Sequence, residues 1–96
     1  MIKLPKYQMI NGVHHELIKR TDKVALLSIN RGSWYEVSRV YVWPKAYADN
    51  IRYPEREAIS DSRQFYQDGS RTFRYEANAL KYFDDLNKIL ADQMSK

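Results

Sequence analysis

The sequence contains no cysteine, and its 96 residues include only three glycines and three prolines. The absence of cysteine excludes disulfides, thiolate metal sites and cysteine nucleophiles, and it fits a reducing compartment. Three scattered glycines do not form a glycine-rich phosphate-binding loop, and no serine lies in a Gly-x-Ser-x-Gly elbow. Several common enzyme classes are therefore disfavoured from the start.

Long apolar runs are also missing. The longest nearly uncharged stretch, residues 24–30, is far shorter than the ~20 residues that a membrane-spanning helix needs. Residues 1–7 lack the apolar core of a signal peptide. From these two features we expect a soluble, cytoplasmic protein.

The composition is that of a folded chain: 44% of the residues are hydrophobic and 14% are aromatic. This apolar content can offset the chain entropy that folding removes, so disorder is not expected. A chain of this length cannot divide its apolar residues between two cores. We predict a single domain over residues 1–96, with 1–12 as a lead-in segment and 93–96 as a frayed tail.

The net charge of +4 is distributed unevenly. Residues 1–48 carry eight Lys and Arg against three acids, whereas residues 49–96 carry eight against nine. The positive field therefore belongs mainly to the first half, where it favours anionic partners without requiring them.

Two runs of β-forming residues dominate the middle of the chain. Residues 24–30 have the length and composition of a central strand, and residues 34–43 are rich in β-branched and aromatic side chains. Between them, Asn30 and Gly32 suit a hairpin turn because both tolerate positive φ. Weaker strand patterns occur at 14–21, 58–66 and 71–75, and residues 44–57 are the least regular part of the chain.

The run from 34 to 43 has no purely apolar face. Tyr35, Val37 and Arg39 alternate with Glu36 and Ser38. Either the strand bulges near residues 38–39, or both of its faces are partly covered.

A helix is predicted from residue 76 to about residue 92. Leu80, Phe83, Leu86 and Leu90 recur at helical spacing, and charged residues occupy the opposite arc. Such a helix needs an apolar partner surface, which a sheet can supply. The predicted fold is therefore α+β: an antiparallel β-meander of three to five strands packed against one C-terminal amphipathic helix.

Candidate catalytic and metal-binding groups are weak. His14 and His15 are adjacent, so on a strand they point to opposite faces and do not readily share a metal. Glu55, Glu57 and Asp61 resemble part of a metal-dependent nuclease cluster, but no acid-x-lysine element completes it. We expect no catalytic residues, no metal and no cofactor, and hence a protein that is not an enzyme.

The pattern that stands out is the interleaving of arginine with aromatic residues. Aromatic rings can stack nucleic-acid bases while guanidinium groups hold phosphates, and the same residue types dominate protein-interface hot spots. Tyr and Trp in strands also commonly fill a core, with arginines at its rim. The candidate binding residues are Arg31, Trp34, Arg39, Tyr41, Trp43, Lys45, Arg52, Tyr53, Arg63, Arg71 and Arg74.

The order of elements resembles that of small uncharacterised accessory proteins of tailed phages and prophages. The resemblance is carried by the strand at 34–42, by residues 69–75 and by the Ala-Leu-Lys-Tyr-Phe-Asp-Asp-Leu phrase at 79–86. It implies an accessory protein of a phage or mobile element, acting in the host cytoplasm. A looser likeness, in element order alone, is to PC4-like single-stranded DNA binders.

Two functional hypotheses follow. The first is a non-catalytic accessory protein that binds a host or phage protein involved in nucleic-acid handling or defence, as an inhibitor would. The alternative is a single-stranded nucleic-acid-binding domain that uses the interleaved arginine and aromatic residues. Neither hypothesis involves a membrane, and homo-oligomer formation is left open.

Overall fold

The computed structural model describes residues 1–48, 50–61 and 63–94. Within these ranges, eight strands precede one helix. They are β1 (Tyr7–Ile10), β2 (Val13–Arg20), β3 (Val24–Ile29), β4 (Trp34–Trp43), β5 (Ala46–Ala48), β6 (Ile51–Tyr53), β7 (Arg56–Ile59), β8 (Arg71–Phe73) and α1 (Glu76–Met94).

Six of the strands form one curled antiparallel sheet in the order β1-β2-β3-β4-β7, with β8 also paired to β4. The first four strands follow one another directly, which confirms the predicted meander. Strands β5 and β6 form a separate two-stranded ribbon that pairs only with itself. The predicted α+β class is confirmed.

Strand β4 changes partner midway along one edge. Its residues 35–37 pair with β8, and its residues 40–43 pair with β7. Between these two stretches, Ser60 N donates to Ser38 Oγ at 3.2 Å, and Arg39 N donates to Ser70 Oγ at 2.9 Å. Serine side chains thus replace the missing ladder bonds where the two partner strands diverge.

Helix α1 covers one face of the sheet. Phe83, Leu86 and Leu90 pack with Val24, Leu26 and Val37 in a buried cluster, against which Leu80 also packs. The predicted inward face of the helix is therefore confirmed. Ile89, which also falls on the apolar arc of the wheel, is 51% exposed.

The opposite face of the sheet holds a second, smaller cluster. Leu4, Ala25 and Leu27 are its buried members, and Val40 and Ile59 pack against it. Leu4 belongs to the N-terminal segment, which crosses toward β7 and forms a parallel bridge between Ile2 and Arg56. Both faces of β4 are therefore partly covered, as one of the two sequence interpretations required.

Several predicted boundaries differ in the structure. Residues 1–12, interpreted as a lead-in, include β1, which pairs with the first half of β2. The weak strand at 58–66 is replaced by the shorter β7 followed by turns. The irregular stretch 44–57 contains the β5–β6 ribbon. Of the predicted tail, residues 93 and 94 belong to the helix, and residues 95 and 96 lie outside the described residues.

Candidate functional site

The predicted binding residues do not form one surface, because the largest groups of them lie at opposite ends of β4. Trp34 begins the strand and Trp43 ends it. A strand of this length spans about 30 Å along its contour, at roughly 3.3 Å per residue. A ligand that touched both groups would have to run along the whole strand.

The first group surrounds the turn between β3 and β4. The Arg74 guanidinium lies over the Trp34 ring at 5.5 Å, and its Nη1 donates to the Ser33 carbonyl oxygen at 2.5 Å. Trp34 is 48% exposed. Arg31 is exposed beside this pair, with a positive φ of 59° that is uncommon for a residue other than glycine.

The second group lies on and beside the β5–β6 ribbon. Lys45, Arg52 and Tyr53 line a groove of about 410 Å³ there. Arg56, at the base of the ribbon, places its guanidinium 5.7 Å from the centre of the Tyr53 ring. We use the name ribbon surface for the exposed side chains of this end: Val42, Trp43, Lys45, Ile51, Arg52 and Tyr53.

Arg39 and Tyr41 lie between the two groups and are held in a polar network. Tyr41 donates to Asp68 Oδ2 at 2.7 Å, Ser60 donates to the same oxygen at 2.5 Å, and Arg39 Nη1 donates to the Asp68 carbonyl oxygen at 3.3 Å. Burial alone would raise the pKa of Asp68, but hydrogen bonds from Ser60, Tyr41 and Ser70 hold that pKa below its usual value. This network stabilises the point at which β4 changes its partner from β8 to β7, and we assign a structural role there to Arg39 and Tyr41.

Arg63 and Arg71 lie away from both groups. The Arg63 side chain is 87% exposed and pairs with Asp61 at 3.3 Å. Arg71 lies over the Tyr82 ring at 5.3 Å, against the helix. Five of the predicted residues contact a ring or a carboxylate of this chain: Arg39, Tyr41, Arg63, Arg71 and Arg74. The pattern in the sequence therefore partly reflects internal packing.

The acidic residues of β7 and its flanks do not converge on a metal. Glu57 is buried and forms a two-pronged ion pair with Arg20, at 2.6 and 2.8 Å. Hydrogen bonds from Arg20 and from the Leu4 amide lower the pKa of Glu57 to about 2, against the opposing effect of burial. Across the described ranges, no three His, Asp or Glu side chains are grouped as a metal site would require.

The structure also contains a cavity that sequence reasoning missed. It lies beside the second cluster, with Leu4 and Ile59 in its lining, and has a volume of about 780 Å³. Its lining includes Gln8 and Ile10 from β1, Glu36 from β4, Thr72 from β8 and the consecutive rings of Phe65 and Tyr66. These two rings meet edge to face, with centroids 5.1 Å apart.

Two polar atoms at this cavity lack partners. Glu36 Oε2 and Gln8 Nε2 are both buried, and within the described part of the chain neither makes a hydrogen bond. Burial raises the pKa of Glu36 to about 7. A native protein rarely leaves such groups unsatisfied, so each calls for an explanation.

Little in the sequence could have revealed this cavity. Glu36 is one of several polar residues that alternate along β4, and such residues usually face solvent. Gln8 lies in a stretch interpreted as a lead-in. Only the curl of the sheet and the crossing of the N-terminal segment bring the two residues to one cavity.

Comparisons with protein-family models, with curated proteins and with solved structures found no match to this chain. The helix among the described residues is too polar to cross a membrane. The geometry of the ribbon surface and of the cavity is therefore the basis for any functional conclusion.

Proposed function

We propose that this protein is a non-catalytic binding protein, and that its ribbon surface docks on an acidic, partly apolar surface of another protein. The observation that carries the proposal is the concentration of exposed apolar groups at the end of β4 and on the adjoining two-stranded ribbon. Val42, Trp43, Ile51 and Tyr53 are between 39% and 54% exposed within residues 42–53. Exposed apolar groups bunched in this way are typical of interaction sites.

The ribbon has few other means of support. An isolated two-stranded hairpin is marginally stable in water, and β5 and β6 hydrogen bond as a sheet of their own. Such an element contributes little apolar burial to the core. Contact with a partner would supply that burial and would also order the ribbon.

The charges near the ribbon determine the kind of partner. Lys45, Arg52 and Arg56 place three cations among the apolar groups, against Asp49 and Glu55 in the same stretch of sequence. Tryptophan, tyrosine and arginine are also the residues most enriched in protein-interface hot spots. An acidic protein surface with an apolar centre would complement this arrangement, with the cations steering the approach.

A protein partner fits this geometry better than single-stranded nucleic acid. A nucleic-acid groove presents successive ring faces along one continuous cationic track. Here the two groups of candidate residues lie at opposite ends of β4, about 30 Å apart along the strand. In each group, a guanidinium of this chain already lies over an aromatic ring, Trp34 in one and Tyr53 in the other. By the resemblance stated above, the partner would belong to nucleic-acid handling or defence in the host.

The test compares variants at the two ends of β4. Partners captured from a host lysate by the wild-type chain are identified, purified and titrated against the wild type, a ribbon variant (W43A with I51S) and a control (W34A). The ribbon variant should bind about 30-fold more weakly, because truncation of a hot-spot residue costs about 2 kcal/mol. The control should bind as the wild type does.

Charge provides the second arm of this test. Lys45→Glu should weaken binding, and affinity should fall as salt rises. Equal binding by the wild type and the ribbon variant would refute the proposal. Two other outcomes would also refute it, provided that the purified protein partner binds the wild type and the ribbon variant equally. One is tight binding of labelled single-stranded oligonucleotides by the wild type alone, and the other is dimer formation by the wild type alone.

A further inference from the structure

The concave cavity carries a second inference, which is independent of the ribbon. We propose that this cavity binds a guanidinium group, with the Glu36 carboxylate as its hydrogen-bond acceptor and the rings of Phe65 and Tyr66 as its stacking surface. Arginine side chains and small guanidines share this chemistry.

The charge of the lining selects a cation. Glu36, Glu57 and Asp61 face the cavity against one cation, Arg56. Arg20 already pairs with Glu57, and Arg56 lies over the Tyr53 ring. Asp61 keeps a lowered pKa, chiefly because the Arg63 amide donates to it, so it stays ionised at the rim. Because Arg20 pairs with Glu57 and Arg63 pairs with Asp61, Glu36 is the lining carboxylate that has no ion-pair partner among the described residues. An anionic ligand would meet this carboxylate directly.

The Glu36 carboxylate lacks a hydrogen-bond donor from the residues that the structure describes. Its Oε2 is buried without a hydrogen bond, and burial is the cause that raises its pKa to about 7. A guanidinium offers two parallel N–H donors that match a carboxylate. Because Oε2 is buried, binding in this way requires the Glu36 side chain to turn toward the ligand. Gln8 lies at the same cavity with an unpaired amide nitrogen, which can donate to a carbonyl next to the bound group.

The aromatic wall favours a planar cation over an ammonium. A guanidinium is flat, weakly hydrated and stacks on aromatic faces, whereas an ammonium is compact and strongly hydrated. Tyr66 is 75% exposed beside Phe65, so its ring is accessible. The volume of about 780 Å³ falls within the usual range for small-ligand sites.

The experiment titrates ¹⁵N-labelled protein with three probes: N-acetyl-arginine amide, its lysine analogue and its neutral citrulline analogue. The arginine probe should shift the amide resonances of Ile10, Tyr66 and Thr72, and it should bind at least about tenfold more tightly than citrulline. The lysine probe should bind with intermediate strength. A short glycine-flanked arginine peptide distinguishes an arginine side chain of a peptide from a small free guanidine, since tighter binding of the peptide indicates a peptide ligand.

Variants test the assignment of residues. Glu36→Gln should weaken arginine binding at least about tenfold, since a charge-assisted hydrogen bond is lost. Tyr66→Ala should weaken it about threefold. Glu16→Gln is the matched control because Glu16 lines a different depression, with Ser28 and Arg31, and it should leave binding unchanged.

The pH dependence gives a further readout. Binding should weaken between about pH 8 and about pH 6 in the wild type as Glu36 takes up a proton, and this dependence should vanish in Glu36→Gln. Of the other charged groups that line this cavity, Glu57 and Asp61 have lowered pKa values and stay ionised in this range, and Arg56 is the cation. Equal affinity for arginine and citrulline, or unchanged binding by the folded Glu36→Gln variant, would overturn the proposal.

Discussion

At the scale of single residues, Glu36 and Glu57 are two carboxylates whose surroundings move their pKa values in opposite directions. Glu36 is desolvated without a partner, and its pKa rises to about 7. Glu57 accepts two hydrogen bonds from Arg20 and one from Leu4, and its pKa falls to about 2. Burial has the same sign in both cases, so the partner decides the outcome.

Glu36→Gln should raise the free energy of unfolding at neutral pH. The folded pKa of Glu36 lies above its unfolded value, so the native state binds the proton more strongly. Glu36 therefore lowers stability progressively as pH rises from about 4.5 to about 7. The gain in the variant should be on the order of 2 kcal/mol at pH 8 and close to zero at pH 4.5, measured by urea unfolding at both pH values. An equal change at both pH values would contradict this account, and Glu16→Gln serves as the control.

Glu57→Gln should have the opposite effect. The folded pKa of Glu57 lies below its unfolded value, so its stabilisation is present above about pH 4.5 and is lost as pH falls toward 2. Removal of one member of a buried pair leaves the other charge uncompensated. Because Arg20 is partly exposed, we expect a loss of about 2 kcal/mol at pH 7. Hydrogen exchange at the Leu4 amide, which donates to Glu57 at 3.0 Å, should quicken in the variant if this contact holds the N-terminal segment.

At the scale of elements, Phe83 is the largest side chain that α1 buries in the core cluster shared with the sheet, where it is 2% exposed. Phe83→Ala should cost about 3–4 kcal/mol, since it removes apolar burial and leaves a cavity. Ile89→Ala is the matched control on the same helix, where 51% exposure predicts a change below about 0.5 kcal/mol. Denaturant unfolding of both variants measures this difference, and similar losses would mean that α1 packs differently from this structure.

The elements that the sequence predicted well are those whose signal is local. The period of Leu80, Phe83, Leu86 and Leu90 identified α1, and the β-rich composition of 24–30 identified β3, because each signal lies within a short stretch of neighbouring residues. The short β1, β5 and β6 were not predicted. Their pairing depends on turns and on the curl of the sheet, and three or four residues carry little periodicity.

The candidate site was less predictable for the same reason. The sequence indicated which residue types could bind a partner, but contacts between distant residues decide which of them remain available. Arg39 and Tyr41 both donate hydrogen bonds to Asp68, which lies 27 residues or more further along the chain. Glu36 is a candidate binding residue because Gln8, Phe65 and Tyr66 line the same cavity, and only folding brings these four residues together.

At the scale of the whole molecule, the two proposed sites belong to different parts of the structure. The cavity is enclosed by strands of the six-stranded sheet and by the loop that follows β7, whereas the ribbon surface lies at the far end of β4. A change in one should leave the other intact. Arg56 lines the cavity and also contacts the Tyr53 ring, so double variants that test this independence use residues away from it. Glu36 and Trp43 are about 23 Å apart along β4, and changes at such a distance usually act additively.

Removal of the ribbon should therefore separate partner binding from folding. Trp43 and Arg56 form the last pair between β4 and β7, so residues 44–55 can be replaced by Asn-Gly, the preferred two-residue hairpin turn. The shortened chain should unfold with a free energy within about 1 kcal/mol of the wild type, since its losses are an unshared ribbon and the bond from the Ile2 amide to Glu55. It should keep arginine binding in the cavity and lose binding to the protein partner. A shortened chain that fails to fold would show that the ribbon is structural, and one that still binds the partner would place the docking surface elsewhere.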